Sequence, residues 1–189
     1  SVFNSLQKRI QISGTSVVEV TGGMPSGCTI TAPLNCLNND YMLYCAFVRL
    51  ANAAGYNTSY LTFDRNVVRR TYGDDVIVSV SDDVSKFYNM TTVSNALYDL
   101  FGMTLDSSSK DGTKMEFESY NEASWISRFF RRLDKFPFYV GALKKISIGA
   151  HLHYVTSLEP AHIGSLFTTA QWEAALWEQE YFDLIQNAI

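Results

Sequence analysis

The stretch VVRRTYGDDVIVSVSDD, Val67 to Asp83, constrains this chain more than any other. β-Branched and aromatic runs stand on either side of Gly73-Asp74-Asp75, and such runs joined by a glycine-aspartate turn read as an antiparallel hairpin. Its strands are expected over Tyr60 to Tyr72 and Val76 to Ser81. The two aspartate pairs then differ in kind. Asp74 and Asp75 sit in the turn, while Asp82 and Asp83 close the far end of the second strand and lead into a helix. At strand rise the pairs stand about 25 Å apart and cannot share one ion. Only the turn pair is presented compactly, as a hard-oxygen donor set of the type Mg²⁺ accepts. A plainer alternative is an acidic surface turn.

Upstream, TSVVEVT (Thr15 to Thr21) is a strand candidate, and GGMPSG (Gly22 to Gly27) is a loop. A long helix should follow, with Pro33 in its first turn, an apolar face through Leu37, Tyr41, Tyr44, Cys45 and Val48, and Gly55 as its C-terminal cap. Downstream, a helix is expected over Val84 to Leu100, a polar loop at DSSSKDG, and a strand at KMEFESY. A short helix or turn around Ser124 to Leu133 comes next, then alternating strands across FYVGALKKISIGAHLHYV. A final amphipathic helix should bury Trp172 and Leu176.

Composition narrows the function classes. The 189 residues are 47% hydrophobic and 18% charged, as a globular protein requires, and 14% aromatic. No run is apolar enough to span a membrane and no signal-peptide core opens the chain. The first residue is not Met, which fits a processed product or an excerpt of something longer. Cys28, Cys36 and Cys45 contain no C-x-x-C pair, which argues against zinc and against a disulfide framework. His151 and His153 alternate in a strand-like run and His162 lies in a loop, so no metal site is expected from them. The net charge of −4 disfavours nucleic-acid binding taken as a total. Its distribution does not, because Arg128, Arg131, Arg132, Lys135, Lys144 and Lys145 are opposed only by Asp134. A solvated helix face is the alternative reading of that block.

Thr31 and Asn35 are four residues apart, so on a helix they point the same way, beside the mouth of the glycine loop. A hydroxyl and an amide so placed can read a sugar hydroxyl, although an N-cap threonine and an incidental asparagine would look the same singly.

Together these residues resemble the palm domain of viral RNA-dependent RNA polymerases, most closely the picornavirus-like group. S-G-x-x-x-T-x-x-x-N, carried by Ser26, Gly27, Thr31 and Asn35, resembles motif B of that family, and Tyr72-Gly73-Asp74-Asp75 resembles motif C. FGMTLDSSSKDG resembles motif D, with Lys110 at the family's lysine, and SWISRFFRRLDKFPF resembles motif E and the entry to the thumb. One departure is visible in motif E: Trp125-Ile126-Ser127-Arg128 stands where the family often has Phe-Leu-Lys-Arg.

The resemblance implies an α+β palm subdomain of a right-hand polymerase: an antiparallel sheet with the YGDD hairpin, packed by helices. Residues 1–135 would form a partial palm, and 136–189 would begin a mainly helical thumb. It implies template-directed RNA synthesis by two-metal nucleotidyl transfer with Mg²⁺ or Mn²⁺, acting on nucleoside triphosphates with an RNA template and primer. Asp74 would ligate metal and Asp75 would support the site or a second ion. Asn35 with Thr31 would select the ribose, Ser26 and Gly27 would give the loop its mobility, and Lys110 would approach the pyrophosphate as a general acid. Tyr72, Gly73, Arg128, Arg131 and Arg132 would contact RNA. Such an enzyme would work in the host cytoplasm at viral replication complexes.

A further aspartate, from a motif A of the D-x(4,5)-D type, should precede motif B, yet Glu19 is the only acid before Gly22. Asp64 is excluded as a substitute if Tyr60 to Tyr72 is one strand, since it would lie about 33 Å from Asp74. The expectation is a fragment spanning motifs B to E, inactive alone, whose partners include the polymerase segments bearing motif A and the fingers. A reverse transcriptase palm and a non-catalytic palm-like interaction module are the alternatives. Gly73 and the Thr31/Asn35 pair favour an RNA product.

Overall fold

The computed structural model describes residues 8–13, 15–21, 29–107, 115–134 and 137–188. The chain forms two compact units, 1–88 and 89–189, and both mix helices with antiparallel strands.

In the first unit β1 (Lys8–Ser13) pairs with β2 (Ser16–Thr21), the strand expected at Thr15 to Thr21. β1 was not foreseen. Helix α1 (Thr31–Ala53) then runs for 23 residues, with Pro33 in its first turn, and Gly55 follows the C-cap at Ala54. Its buried face is Leu43, Ala46, Phe47 and Ala51, not the face expected: Leu37 and Tyr41 are 67% and 63% exposed. Apolar residues occupy more than one side of this helix, and the partner strand decides which side is covered.

The segment expected as strand from Tyr60 is instead helix α2 (Tyr60–Asn66), followed by β3 (Val67–Tyr72). Ser59 caps the helix by accepting the Thr62 N–H at 3.2 Å, and Phe63 is fully buried one turn in. Local capping and one buried ring thus override the β-propensity of Tyr60 and Phe63. The rings of Phe47, Phe63 and Tyr88 gather at centroid separations of 5.3–6.4 Å. Each such buried ring contributes about 2–3 kcal/mol. Tyr88 donates its hydroxyl to the Leu43 carbonyl at 3.1 Å, and burial pushes its phenol above the ordinary value.

Strand β4 (Asp75–Val80) completes the expected hairpin, with Val67 opposite Val80 and Tyr72 opposite Asp75. Ser81 closes the base, its N–H donating to the Asn66 carbonyl at 2.9 Å and its hydroxyl to Asn66 Oδ1 at 2.6 Å. Asp82 and Asp83 open the one-turn helix α3 (Asp82–Ser85), as expected of a strand end entering a helix.

The single helix expected over Val84 to Leu100 is broken. Asn89 is extended (φ −134, ψ 172) and forms a reciprocal capping box with Thr92, so a new helix α4 (Met90–Phe101) starts there. No strand occurs in 115–120, although the Glu116 carbonyl accepts from the Met90 N–H. Ser124 to Leu133 is neither helix nor simple turn: β5 (Ser124–Trp125), β6 (Arg128–Arg132) and β7 (Tyr139–Leu143) form an antiparallel sheet in that order.

Only the start of the next run is strand. Lys145–His153 is helix α5, so His151 and His153 sit in its last turn, and His162 lies in helix α6 (Pro160–Ala174) rather than a loop. The final helix is likewise two, since α6 ends before α7 (Gln179–Ala188) begins. Ile148, Ala170, Ala174 and Ile185 form the core here, with Leu143, Leu152, Trp177, Tyr181 and Phe182 packed against it. Trp172, expected inside, is 77% exposed. Trp177 takes that role and donates its indole N–H to the Leu143 carbonyl at 2.9 Å.

Candidate active site

Alternation along β3 organises the acidic turn. Val67, Arg69 and Thr71 point to the covered side, and Val68, Arg70 and Tyr72 to the exposed side. Helix α1 meets the covered side at successive heights. Near the base Val67 is fully buried. At mid-strand the Arg69 guanidinium pairs with Asp40 of α1, reaches Asp64 of α2 at 3.0 Å, and donates to the Tyr60 hydroxyl at 2.7 Å. It also lies 4.4 Å from the Phe63 ring centroid. Burial opposes the charge on Arg69, but the hydrogen bonds it donates to Asp40 and Asp64 outweigh it and hold the guanidinium above its ordinary pKa.

Nearer the tip, Cys36 Sγ donates to the Thr71 carbonyl at 3.5 Å, and Asn39 Nδ2 donates to the Gly73 carbonyl at 2.8 Å. Gly73 adopts φ +64 at the first turn position, where a side chain would be strained. Asp74 and Asp75 are both exposed. Their directions differ: Asp74 occupies the turn, and Asp75 opposes Tyr72 on the face turned away from α1.

Thr31, Asn35 and Asn39 occupy consecutive turns on one side of α1, so the expected pair and the residue bound to the turn form one row. Ser26, Gly27 and Lys110 lie outside the described residues. Asp64 is helical, so the strand-length reason for excluding it fails. It is instead engaged by Arg69.

The basic residues of the second unit are placed unequally. Arg128 forms a two-bond pair with Glu173, at 2.9 and 2.6 Å, and donates to the Gly141 carbonyl at 2.6 Å. Arg131 stacks 4.5 Å from the Trp177 ring centroid and reaches the Leu176 carbonyl and Glu178. Arg132 is exposed on the same strand. Sequence reasoning passed over Asn39 and Arg69. Asn39 had a readable signal, as the third member of a four-residue series that begins at Thr31.

Among the described residues no three His, Cys, Asp or Glu side chains gather as a ready metal cluster. Two adjacent carboxylates at an exposed tip still fit Mg²⁺, which commonly takes one or two protein carboxylates and keeps water and phosphate oxygens for the rest.

An α+β fold with two carboxylates on a glycine turn, braced by a helix bearing a threonine-asparagine row, defines the class of palm-bearing nucleotide polymerases. The chain matches the family described as viral RNA-dependent RNA polymerase over residues 2–188, and it belongs to that family. It is 48% identical over 190 residues to Polyprotein-FSD of Solenopsis invicta virus 3, an alignment covering 99% of this chain and 6% of that protein. It is 32% identical over 193 residues to the RNA1 polyprotein of Satsuma dwarf virus, covering 100% and 9%. A solved Sicinivirus 3Dpol RNA-dependent RNA polymerase shares the fold with TM-score 0.78 at 16% identity, over 97% of this chain and 36% of that one. The chain thus spans under a tenth of these polyproteins and about a third of the solved polymerase.

Proposed function

We propose that this chain supplies motifs B to E of an enzyme that makes RNA on an RNA template during viral replication, with residues 1–135 in the palm and 136–189 beginning the thumb. The observation that carries the reading is the YGDD hairpin: its tip exposes Asp74 and Asp75, and its covered side is bound to the helix that bears Thr31 and Asn35.

Asp74 and Asp75 would hold the divalent ions, Mg²⁺ or Mn²⁺, of two-metal nucleotidyl transfer. Bound there, the ions supply charge stabilisation to the attacking and departing oxygens. Asn35 and Thr31 read the 2′-hydroxyl that separates a ribonucleotide from its deoxy counterpart. Lys110 donates a proton to the leaving pyrophosphate. Tyr72 contacts RNA in the first unit, and Arg132 does so in the second. Arg128 and Arg131 support the strand that carries Arg132, from their pairs with Glu173 and Glu178. The remaining metal-binding carboxylate comes from a motif A in the rest of the polymerase, so the chain alone is inactive. The assembled enzyme works at replication complexes in the host cytoplasm. Among the described residues no helix is long and apolar enough to cross a membrane.

Primer extension by the full-length polymerase tests this. Asn35→Ala should erode the preference for ribonucleotides over deoxyribonucleotides, and this chain alone should give no template-dependent product. An unchanged preference, or synthesis by the chain alone, would overturn the corresponding assignment.

A further inference from the structure

We infer that Asn39 is a positioning residue that sets the Asp74 carboxylate by fixing the peptide from which that residue departs. The inference rests on the metal reading of the turn and deepens it. Asn39 Nδ2 donates to the Gly73 carbonyl at 2.8 Å, and that oxygen belongs to the planar peptide whose nitrogen is that of Asp74. A two-residue turn is softest at its glycine, whose φ and ψ are the least restricted of any residue. The hydrogen bond removes the freedom that Gly73 leaves and ties the peptide to α1, a 23-residue helix anchored by Leu43, Ala46, Phe47 and Ala51.

The residue type fits the task. The Gly73 oxygen needs a donor, and the short amide of asparagine supplies one with few rotatable bonds. Leucine has a similar size and no donor. Aspartate has the same shape but offers only acceptors when ionised. Because Asn39 shares its row with Thr31 and Asn35, one rigid element carries both the ribose-reading groups and the support of the acidic turn. Partners that orient ligating groups in this way typically matter by 10–100-fold in metal affinity or activity.

The experiment uses the full-length polymerase and Mn²⁺ as the probe, with free ion followed by electron paramagnetic resonance during titration. The relevant site is the one lost in Asp74→Asn. Asn39→Leu should weaken it about 10-fold and slow single-nucleotide addition by a comparable factor. Asn39→Asp keeps the fold's shape and provides the second variant if Leu does not fold. Its added negative charge alone would tighten cation binding, so the weakening expected here has the opposite sign. Mn²⁺ affinity at or above wild type in both variants overturns the role of Asn39. Equal Mn²⁺ binding by wild type and Asp74→Asn overturns the metal reading of the turn, and the inference with it.

Discussion

Two hairpin turns of two residues each solve the same backbone problem differently. Between β3 and β4 the positive φ falls on Gly73, which adopts +64° without steric cost. Between β5 and β6 the turn is Ile126-Ser127, and both residues lie in the left-handed region, at φ 52 and 60. For L residues that conformation costs roughly 1–2 kcal/mol each, and a β-branched residue is rarely found there. The second turn is held by its surroundings. Ser127 accepts the Lys144 N–H at 3.0 Å, and the next residue, Arg128, is clamped to Glu173. Where glycine absorbs the geometry, the neighbouring turn residue is free to be chosen for chemistry. Where it does not, the strands and helices around the turn must enforce it.

The sharpest break in the comparison is therefore functional. In the polymerase proposed to contain this chain, Asp74→Asn should cut nucleotide addition by about 10³-fold or more, since metal stabilisation of the reacting oxygens contributes several kcal/mol. Ile126→Gly should leave the rate within about 3-fold, because the second turn contributes backbone shape and no carboxylate proposed to hold metal. Single-turnover incorporation checks both, and a comparable loss from the two substitutions would erase the distinction.

Next in size is the support beneath the first turn. Arg69→Met removes a largely buried guanidinium from between Asp40, Asp64 and Tyr60. The carboxylates it leaves behind are partly exposed, 33% at Asp40 and 56% at Asp64, so solvent screens the loss and the cost is about 2 kcal/mol. Hydrogen exchange of the β3 and β4 amides should accelerate accordingly, and unchanged protection would show that the hairpin stands on Val67 and its strand pairing alone.

How much of this could be read from sequence follows the range of the forces involved. The first hairpin was legible because glycine, aspartate and alternating residues act within a few positions. Its first strand begins at Val67 rather than Tyr60, because the Ser59 cap and the burial of Phe63 outweigh β-propensity at Tyr60. Helix α1 was legible in extent but not in orientation: Leu37 and Tyr41 satisfy helical periodicity yet remain exposed, since β3 covers another side. In α5 the alternation of Ile146, Ile148, Ala150 and Leu152 imitates a strand, whereas the helix packs Ile148 and Leu152, one turn apart, toward the core. The basic block was visible, but the partners of Arg128 and Arg131 stand 45 and 47 residues away, at Glu173 and Glu178, and no local pattern announces them. Within the site, the acidic turn and the Thr31/Asn35 pair were readable. The Asn39 bond depends on how α1 docks.

Smaller effects test the backbone half of the comparison through their opposite signs. No atom stands within 4 Å of a Cβ placed on Gly73, so Gly73→Ala meets conformational strain and no clash. It should lower hairpin stability by about 1 kcal/mol. Ile126→Gly relieves strain and should raise protection of the β5 and β6 amides by a similar amount, about 1 kcal/mol. Shifts of the same sign in both would mean that packing of the Ile126 side chain, 41% exposed, matters more than its φ.

The smallest effect concerns pH and the clamp on the second hairpin. Hydrogen bonds from Arg128 hold the Glu173 carboxyl below its ordinary pKa, with burial acting against them. The folded value thus lies below the unfolded one, so in the acidic range the unfolded state binds the extra proton more readily. The stabilisation is complete above the unfolded glutamate value, about 4.3, and is lost as pH falls through the depressed folded value. Glu173→Gln removes that dependence. Protection factors for β6 and β7 should be lower in the variant than in wild type at pH 6, and the gap should narrow steadily toward pH 3. Glu178, also held low by Lys145, is solvent-exposed, so solvent and salt screen its pair and Glu178→Gln should change little. A gap at Glu173 that persists undiminished at pH 3 would mean that the carboxylate's shape, rather than its charge on Arg128, secures the strand beneath the strained turn.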